Sequence, residues 1–234
     1  VIAGSLADYL PSGEPSLAVP EFMHQAAPEA PDTEAWNDLL AEGHPPPEVE
    51  VGPGDLCLLP YTSGSTGKPK GCKHTHATVT SNVVGVYHWN TLSASSVHLC
   101  TLPFFHVTGL VHSLLAPLMA GGNMVLLTRW DRETALQAIE KYSCTHWMNI
   151  STMVVDIVNA PDIAERDLSS LVLVGGGGAP LPEAVGRRLQ ELTGLTYCEG
   201  YGLTETISQT HMNPPDRPKL QCMGIPDFGV DARI

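Results

Sequence analysis

Eleven consecutive residues carry the densest set of anion-holding groups in the chain: Tyr61, Thr62, Ser63, Gly64, Ser65, Thr66, Gly67, Lys68, Pro69, Lys70 and Gly71. Glycines let backbone N–H groups turn inward around an anion, hydroxyls add donors, and lysines neutralise charge. A polyphosphate suits such a loop. The order differs from a Walker A loop, whose leading glycine would fall at Thr62. Pro69 also stands where that loop needs the Ser or Thr that binds magnesium and opens a helix.

Two further stretches combine glycine with groups that can meet a nucleotide. In Glu199, Gly200, Tyr201, Gly202, Leu203, Thr204, Glu205 and Thr206, an exposed tyrosine between glycines can stack on a base. Thr204 can donate to a phosphate, and Glu205 can hold a hard cation. The run Gly175, Gly176, Gly177, Gly178, Ala179, Pro180 follows an apolar strand and permits close backbone approach to a flat ligand. Neither stretch completes the GxGxxG pattern, so a Rossmann dinucleotide site is excluded. His74 and His76 on an extended segment make a weak metal pair with no third ligand nearby, and Trp147 and Met148 read as core.

The elements that must position these groups alternate regularly. Apolar runs predict strands over 56–61, 97–102, 123–127, 145–149, 171–174 and 195–199. Amphipathic spacing predicts helices over 78–89, 107–119, 132–142, 152–159 and 182–193. This alternation indicates an α/β fold with a largely parallel sheet flanked by helices, ligands lying in loops beyond the strands' carboxyl ends. Residues 1–55 differ: they hold nine prolines and eleven acidic residues with no Lys or Arg, and read as an irregular surface segment with one short helix near 33–41.

Composition bounds the function classes. The 234 residues carry a net charge of −13, which argues against a nucleic-acid partner. The segment from His74 to Thr128 has no charged side chain, yet its most apolar part, Val107 to Ala120, is too short to span a bilayer. Six scattered cysteines without a CxxC pair read as reduced core residues of an intracellular, cytoplasmic protein.

In order and spacing, the three motifs resemble those of the acyl-adenylate-forming (AMP-binding) superfamily, and the resemblance extends over essentially the whole chain. Leu102 to Gly109 resembles its fourth motif in the acyl-CoA synthetase form, and Thr210 to Ile234 resembles bacterial medium- or long-chain fatty-acid–CoA ligases. The resemblance implies part of a large N-terminal adenylation domain, with residues 56–234 as the partial domain and 1–55 as its lead segment. It implies ATP, Mg²⁺ and coenzyme A, used to convert a fatty carboxylate to acyl-AMP and then acyl-CoA. Thr62 to Lys70 would wrap the β- and γ-phosphates, and Tyr201 would stack on adenine, with Gly176 to Pro180 opposite. Glu199 to Gly202 would line the nucleotide, and Thr204 would touch the α-phosphate. Glu205 with Thr62 would bind Mg²⁺. His106 would stand between acyl channel and nucleotide, and Val107 and Gly109 would wall the channel.

By the same resemblance, the partners are small molecules, with a homodimer left open. Family members extend further on both sides, so the ribose-binding Asp motif, the hinge and the small lysine-bearing lid domain are expected to be absent and the isolated chain to be inactive. Adenylation of an aryl acid and a non-catalytic nucleotide-binding remnant stand as alternatives.

Overall fold

The structure, a computed structural model, describes residues 1–10, 12, 17–26, 32–64 and 67–233. It divides into two compact units, Val1–Val51 and Gly52–Ile234. In the first unit, β1 (Ile2–Ala3) pairs in parallel with β2 (Glu34–Ala35), which leads into α1 (Trp36–Glu42). Gly43, left-handed at φ 62°, ends that helix. The helix expected near 33–41 starts later because Glu34 and Ala35 are held in the strand pair. None of the unit's described residues is buried. Polar contacts join its parts instead: the Tyr9 hydroxyl donates to Asn37 Oδ1 (3.0 Å), and Asn37 Nδ2 donates to Asp8 (3.0 Å).

The second unit opens with β3 (Leu56–Leu58), β4 (Tyr61–Thr62), β5 (Lys70–Gly71) and β6 (His74–Thr75). They form two small antiparallel pairs, β3 with β6 and β4 with β5. Thr75 caps α2 (His76–Trp89), its side chain accepting from Thr78 N–H. Then come β7 (Val97–Cys100), a π-helical segment (Gly109–Leu115) running into α3 (Ala116–Ala120), and β8 (Asn123–Leu126). The series continues with α4 (Arg132–Tyr142), β9 (His146–Asn149), α5 (Ser151–Val158), β10 (Leu173–Gly176) and α6 (Glu183–Thr193). It closes with β11 (Cys198–Leu203), β12 (Ser208–Met212) and β13 (Ile225–Pro226).

Seven strands form one sheet in the order β13-β12-β11-β10-β9-β7-β8. The strands from β8 to β11 run parallel, and β12 and β13 add an antiparallel edge. Every residue of β9 and β10 is buried, as expected for parallel strands covered by helices on both faces. The expected α/β sheet is therefore present. Its order reverses at β7: the chain goes out to β8 on one side and returns to β9 on the other.

The helix expected over 107–119 is two pieces. In the first, the Ala116 N–H reaches Val111 O, five residues back. Pro117 has no N–H for Ser113 O, and that carbonyl accepts the Cys100 thiol at 3.1 Å. Burial, with Cys144 nearby, pushes that thiol's pKa up to about 12, so it keeps the proton it donates.

Of the four buried histidines of this unit, three lie in or beside the large sheet. His98 on β7 and His146 on β9 are register partners with rings stacked 5.0 Å apart, and His112 lies in the π-helical segment. Burial lowers all three, His98 to about 3, helped by the neighbouring His146 and His112, and His112 to about 4. Unfolding frees them to bind protons near their ordinary value of 6.5. The unfolded state thus binds more protons below that pH, so stability is full above about 6.5. It is lost as pH falls toward about 4 for His112 and about 3 for His98. Each contributes a slope of about 1.4 kcal/mol per pH unit within its window. The urea midpoint measured at pH 7.5, 5.5 and 4.5 should fall steadily, and His98→Gln should flatten the fall. A midpoint indifferent to pH across this range would contradict the burial of neutral imidazoles.

Candidate functional site

The carboxyl ends of β7, β9, β10 and β11 meet around a cavity of roughly 280 Å³. It lies where the strand order reverses, the place at which open α/β sheets bind ligands. The loop after β7 brings His106 and Val107 to it. The end of β10 brings Gly176, Gly177 and Gly178. Residues of β11 and the turn beyond it bring Gly200, Tyr201, Gly202, Thr204 and Glu205. Three stretches far apart in sequence thus converge on one space.

The stretch containing Tyr201 is not a loop following a strand. Strand β11 continues through Leu203 and pairs with β12, with a register shift between Tyr201 and Gly202. A Cβ at Gly202 would fall 1.9 Å from Ser208 O, so glycine is required for this hairpin to close. The Tyr201 ring packs edge-on against His211, centroids 6.2 Å apart, and stays half exposed. Thr204 to Thr206 form a single 3-10 turn. The turn ends on Ile207, a β-branched residue at φ 60°, a conformation that costs about 1–3 kcal/mol. Ile207 is held there by burial against Val79 and Val83 of α2. This strain sits directly beside Glu205.

Glu199 and Gly109, expected at the ligand, face the protein. The Glu199 carboxylate is buried and accepts the Leu181 N–H at 2.6 Å, tying the end of β11 to the approach of α6. A Cβ at Gly109 would fall 2.2 Å from Pro103 O. Gly109 therefore lets the chain double back under His106, whose own N–H bonds Pro103 O at 3.1 Å. Ala179 and Pro180 are exposed and do not line the cavity.

The glycine run serves the protein's own backbone first. Added Cβ atoms would stand 2.6 Å from Cys198 O at Gly175, 2.0 Å from Asn149 O at Gly176, and 2.6 Å from Gly200 O at Gly177. Only Gly178, at φ 84°, opens on free space.

The hydroxyl- and lysine-rich stretch is the tip of the β4–β5 hairpin. Gly64 and Gly67 both have positive φ, and the Gly67 N–H bonds Gly64 O at 3.2 Å. Lys68 and Lys70 are exposed, while Thr62 is half-buried and Ser63 exposed. Ser65 and Thr66 lie outside the described residues. None of the described tip residues lines the cavity. The hairpin is tied to it one step away: buried His74, in β6, pairs through Nε2 with Thr204 O at 2.7 Å. His74 is thus a structural anchor rather than half of a metal pair. Among the described residues no cluster of three or more His, Cys, Asp or Glu is placed to hold a metal. A cation at exposed Glu205 would share its ligands with the phosphates of a bound nucleotide, a usual arrangement for Mg²⁺.

Several lining residues were not expected at the ligand from the sequence: Thr108, His112, Met148, Ser208, Gln209 and Met212. Met148 is core, as read, and also cavity floor. Gln209 and Glu205 further line a neighbouring cavity of roughly 450 Å³ between α2 and the segment around Asp227. No described helix is long and apolar enough to cross a membrane, and all six cysteines are free.

A family model described as AMP-binding enzyme matches residues 7–234. A feruloyl-CoA synthase from Amycolatopsis sp is 35% identical over 203 residues, which cover 84% of this chain and 40% of that protein. A long-chain-fatty-acid–CoA ligase of Bacillus subtilis (strain 168) is 32% identical over 183 residues, covering 77% of this chain and 33% of that protein. Among solved structures, ATP-bound MatB from Rhodopseudomonas palustris superposes with a TM-score of 0.74 at 28% identity, covering 80% of this chain and 37% of that one. The chain thus spans well under half the length of these relatives.

The glycine distances separate two substitutions. Gly176→Ala drives a methyl into Asn149 O and should destabilise by about 1–3 kcal/mol, with a matching fall in the urea midpoint. Gly178→Ala meets no neighbour and should lose only about 1 kcal/mol, for its left-handed backbone. Equal losses at the two positions would contradict the strand contact.

Proposed function

The chain belongs to the AMP-binding enzyme family, and on that footing we propose that it is the nucleotide- and acid-binding part of an AMP-forming carboxylate–CoA ligase. The observation that carries this reading is the convergence of His106, the Gly176–Gly178 run and the Tyr201–Glu205 stretch on one cavity at the sheet's reversal. A carboxylate oxygen attacks the α-phosphorus of ATP, and the bond to pyrophosphate breaks as the acyl-adenylate forms. The coenzyme A thiol then displaces AMP from the acyl carbon. Neither step needs a covalent protein intermediate. What the site must supply is the joint placement of two anions and neutralisation of phosphate charge.

In this reading Tyr201 stacks on adenine, with the backbone from Gly176 to Gly178 on its other side. Thr204 donates its hydroxyl to the α-phosphate, and the hairpin tip with Lys68 and Lys70 closes on the β- and γ-phosphates. His106 stands between nucleotide and acid, with Val107 beside it. Glu205 holds Mg²⁺ with Thr62, and the ion when bound offsets phosphate charge. Glu199 and Gly109 act one layer back, as supports of the loops that touch ligand. The acid is a largely apolar carboxylate, alkyl or aryl: Val107, Met148 and Met212 line the cavity, and no described lysine or arginine does.

The test is acid-dependent exchange of labelled pyrophosphate into ATP, run with this chain and with the product of the full reading frame that encodes it. The latter should exchange only when a carboxylic acid is present. Glu205→Ala should cut that exchange by about 10²-fold or more while far-UV circular dichroism and melting stay unchanged, since Glu205 is an exposed turn residue. ATP hydrolysis indifferent to added acid would point to a different phosphoryl enzyme.

A further inference from the structure

We propose that His112, together with Gln209, selects an acid whose apolar body carries a hydroxyl or similar hydrogen-bonding group, and discriminates against the plain hydrocarbon acid of the same shape. The inference rests on the ligase reading and narrows its substrate class. Both residues line the cavity and are almost wholly buried, at 3% and 4% exposure. Both carry a polar atom with no hydrogen-bond partner among the described residues: Nδ1 of His112 and Oε1 of Gln209. A buried polar atom left unpaired is costly, so such atoms usually have a partner in ligand or water.

The chemistry of the two groups is defined. Gln209 Nε2 donates to the Asp227 carboxylate, which fixes the amide's orientation and leaves Oε1 as the open acceptor. Burial holds His112 neutral at pH 7, its pKa down to about 4, so the ring presents one donor and one acceptor rather than a charge. A cation or an anion would find no opposite charge in this pair. A hydroxyl, which both donates and accepts, complements it. His112 also sits in the π-helical segment that follows His106, and such wide turns recur at functional sites. An alkyl tail packed here would displace water and leave both atoms unpaired. Sites built around a hydrogen bond reject the analogue that lacks it far more strongly than apolar pockets reject an added methylene.

The experiment compares matched acids in pyrophosphate exchange by the product of the full reading frame: 4-hydroxycinnamate against cinnamate, and an ω-hydroxyalkanoate against the alkanoate of equal length. In at least one pair, kcat/KM should favour the hydroxylated acid by about tenfold or more. His112→Leu should collapse that ratio toward or below one, and His112→Gln, which keeps a donor and an acceptor, should retain part of it. A purely structural role for His112 would lower both acids together and leave the ratio unmoved. That result, or a wild-type protein indifferent to the hydroxyl in both pairs, overturns the inference and leaves the ligase reading standing. No exchange with any acid removes the ligase reading, and this inference with it.

Discussion

The site depends on how closely the ends of three parallel strands approach one another. At the carboxyl end of β10 the backbone lies so near its neighbours that a methyl at Gly176 would overlap Asn149 O of β9, and one at Gly175 would crowd Cys198 O of β11. The contact is locked from the side by the buried Tyr197 hydroxyl, which donates to Asn149 Oδ1 at 3.0 Å. With those strands fixed, the loops leaving them have little freedom. Glu199 pins the approach to α6 by accepting the Leu181 N–H, and Gly109 lets the turn under His106 close. The cavity is what remains between loops whose roots cannot move apart.

A second constraint couples the hairpin to this frame. His74 reaches Thr204 O at the base of the turn that carries Glu205, and Ile207 closes that turn in a strained conformation held by core packing. On the proposed reading, the metal-binding carboxylate and the phosphate-binding hairpin are therefore referenced to one backbone carbonyl. Such preorganisation is what phosphoryl chemistry draws on, since positioning and charge neutralisation carry most of the work.

Much of this was legible in the sequence because it is local. Apolar runs located the five parallel strands of the sheet but not its antiparallel edge, β12 and β13, and the spacing of charged and apolar residues placed the helix over 132–142 with the bounds found in the structure. The three glycine-bearing motifs announced themselves by composition. What escaped is long-range or depends on strand pairing. Tyr201 and Gly202 look like loop residues, yet pairing with β12 extends the strand through them. The glycines read as space for a ligand mainly make room for neighbouring backbone. The wide turn at Gly109–Leu115 follows partly from Pro117 leaving Ser113 O without its ordinary partner, a consequence visible only once Cys100 is seen to fill it. His112 and Gln209 carry no motif; only folding brings them to the same cavity wall.

On the proposed reading, one cavity at the sheet's reversal holds nucleotide and acid side by side. A crystal structure with a non-hydrolysable acyl-adenylate analogue tests it most directly. The adenine should lie against Tyr201 and the Gly176–Gly178 backbone, the phosphoryl group at Thr204, and the acyl group should run past His106 toward His112. An analogue bound away from these residues, or its nucleotide and acyl halves lodged in separate cavities, would contradict it.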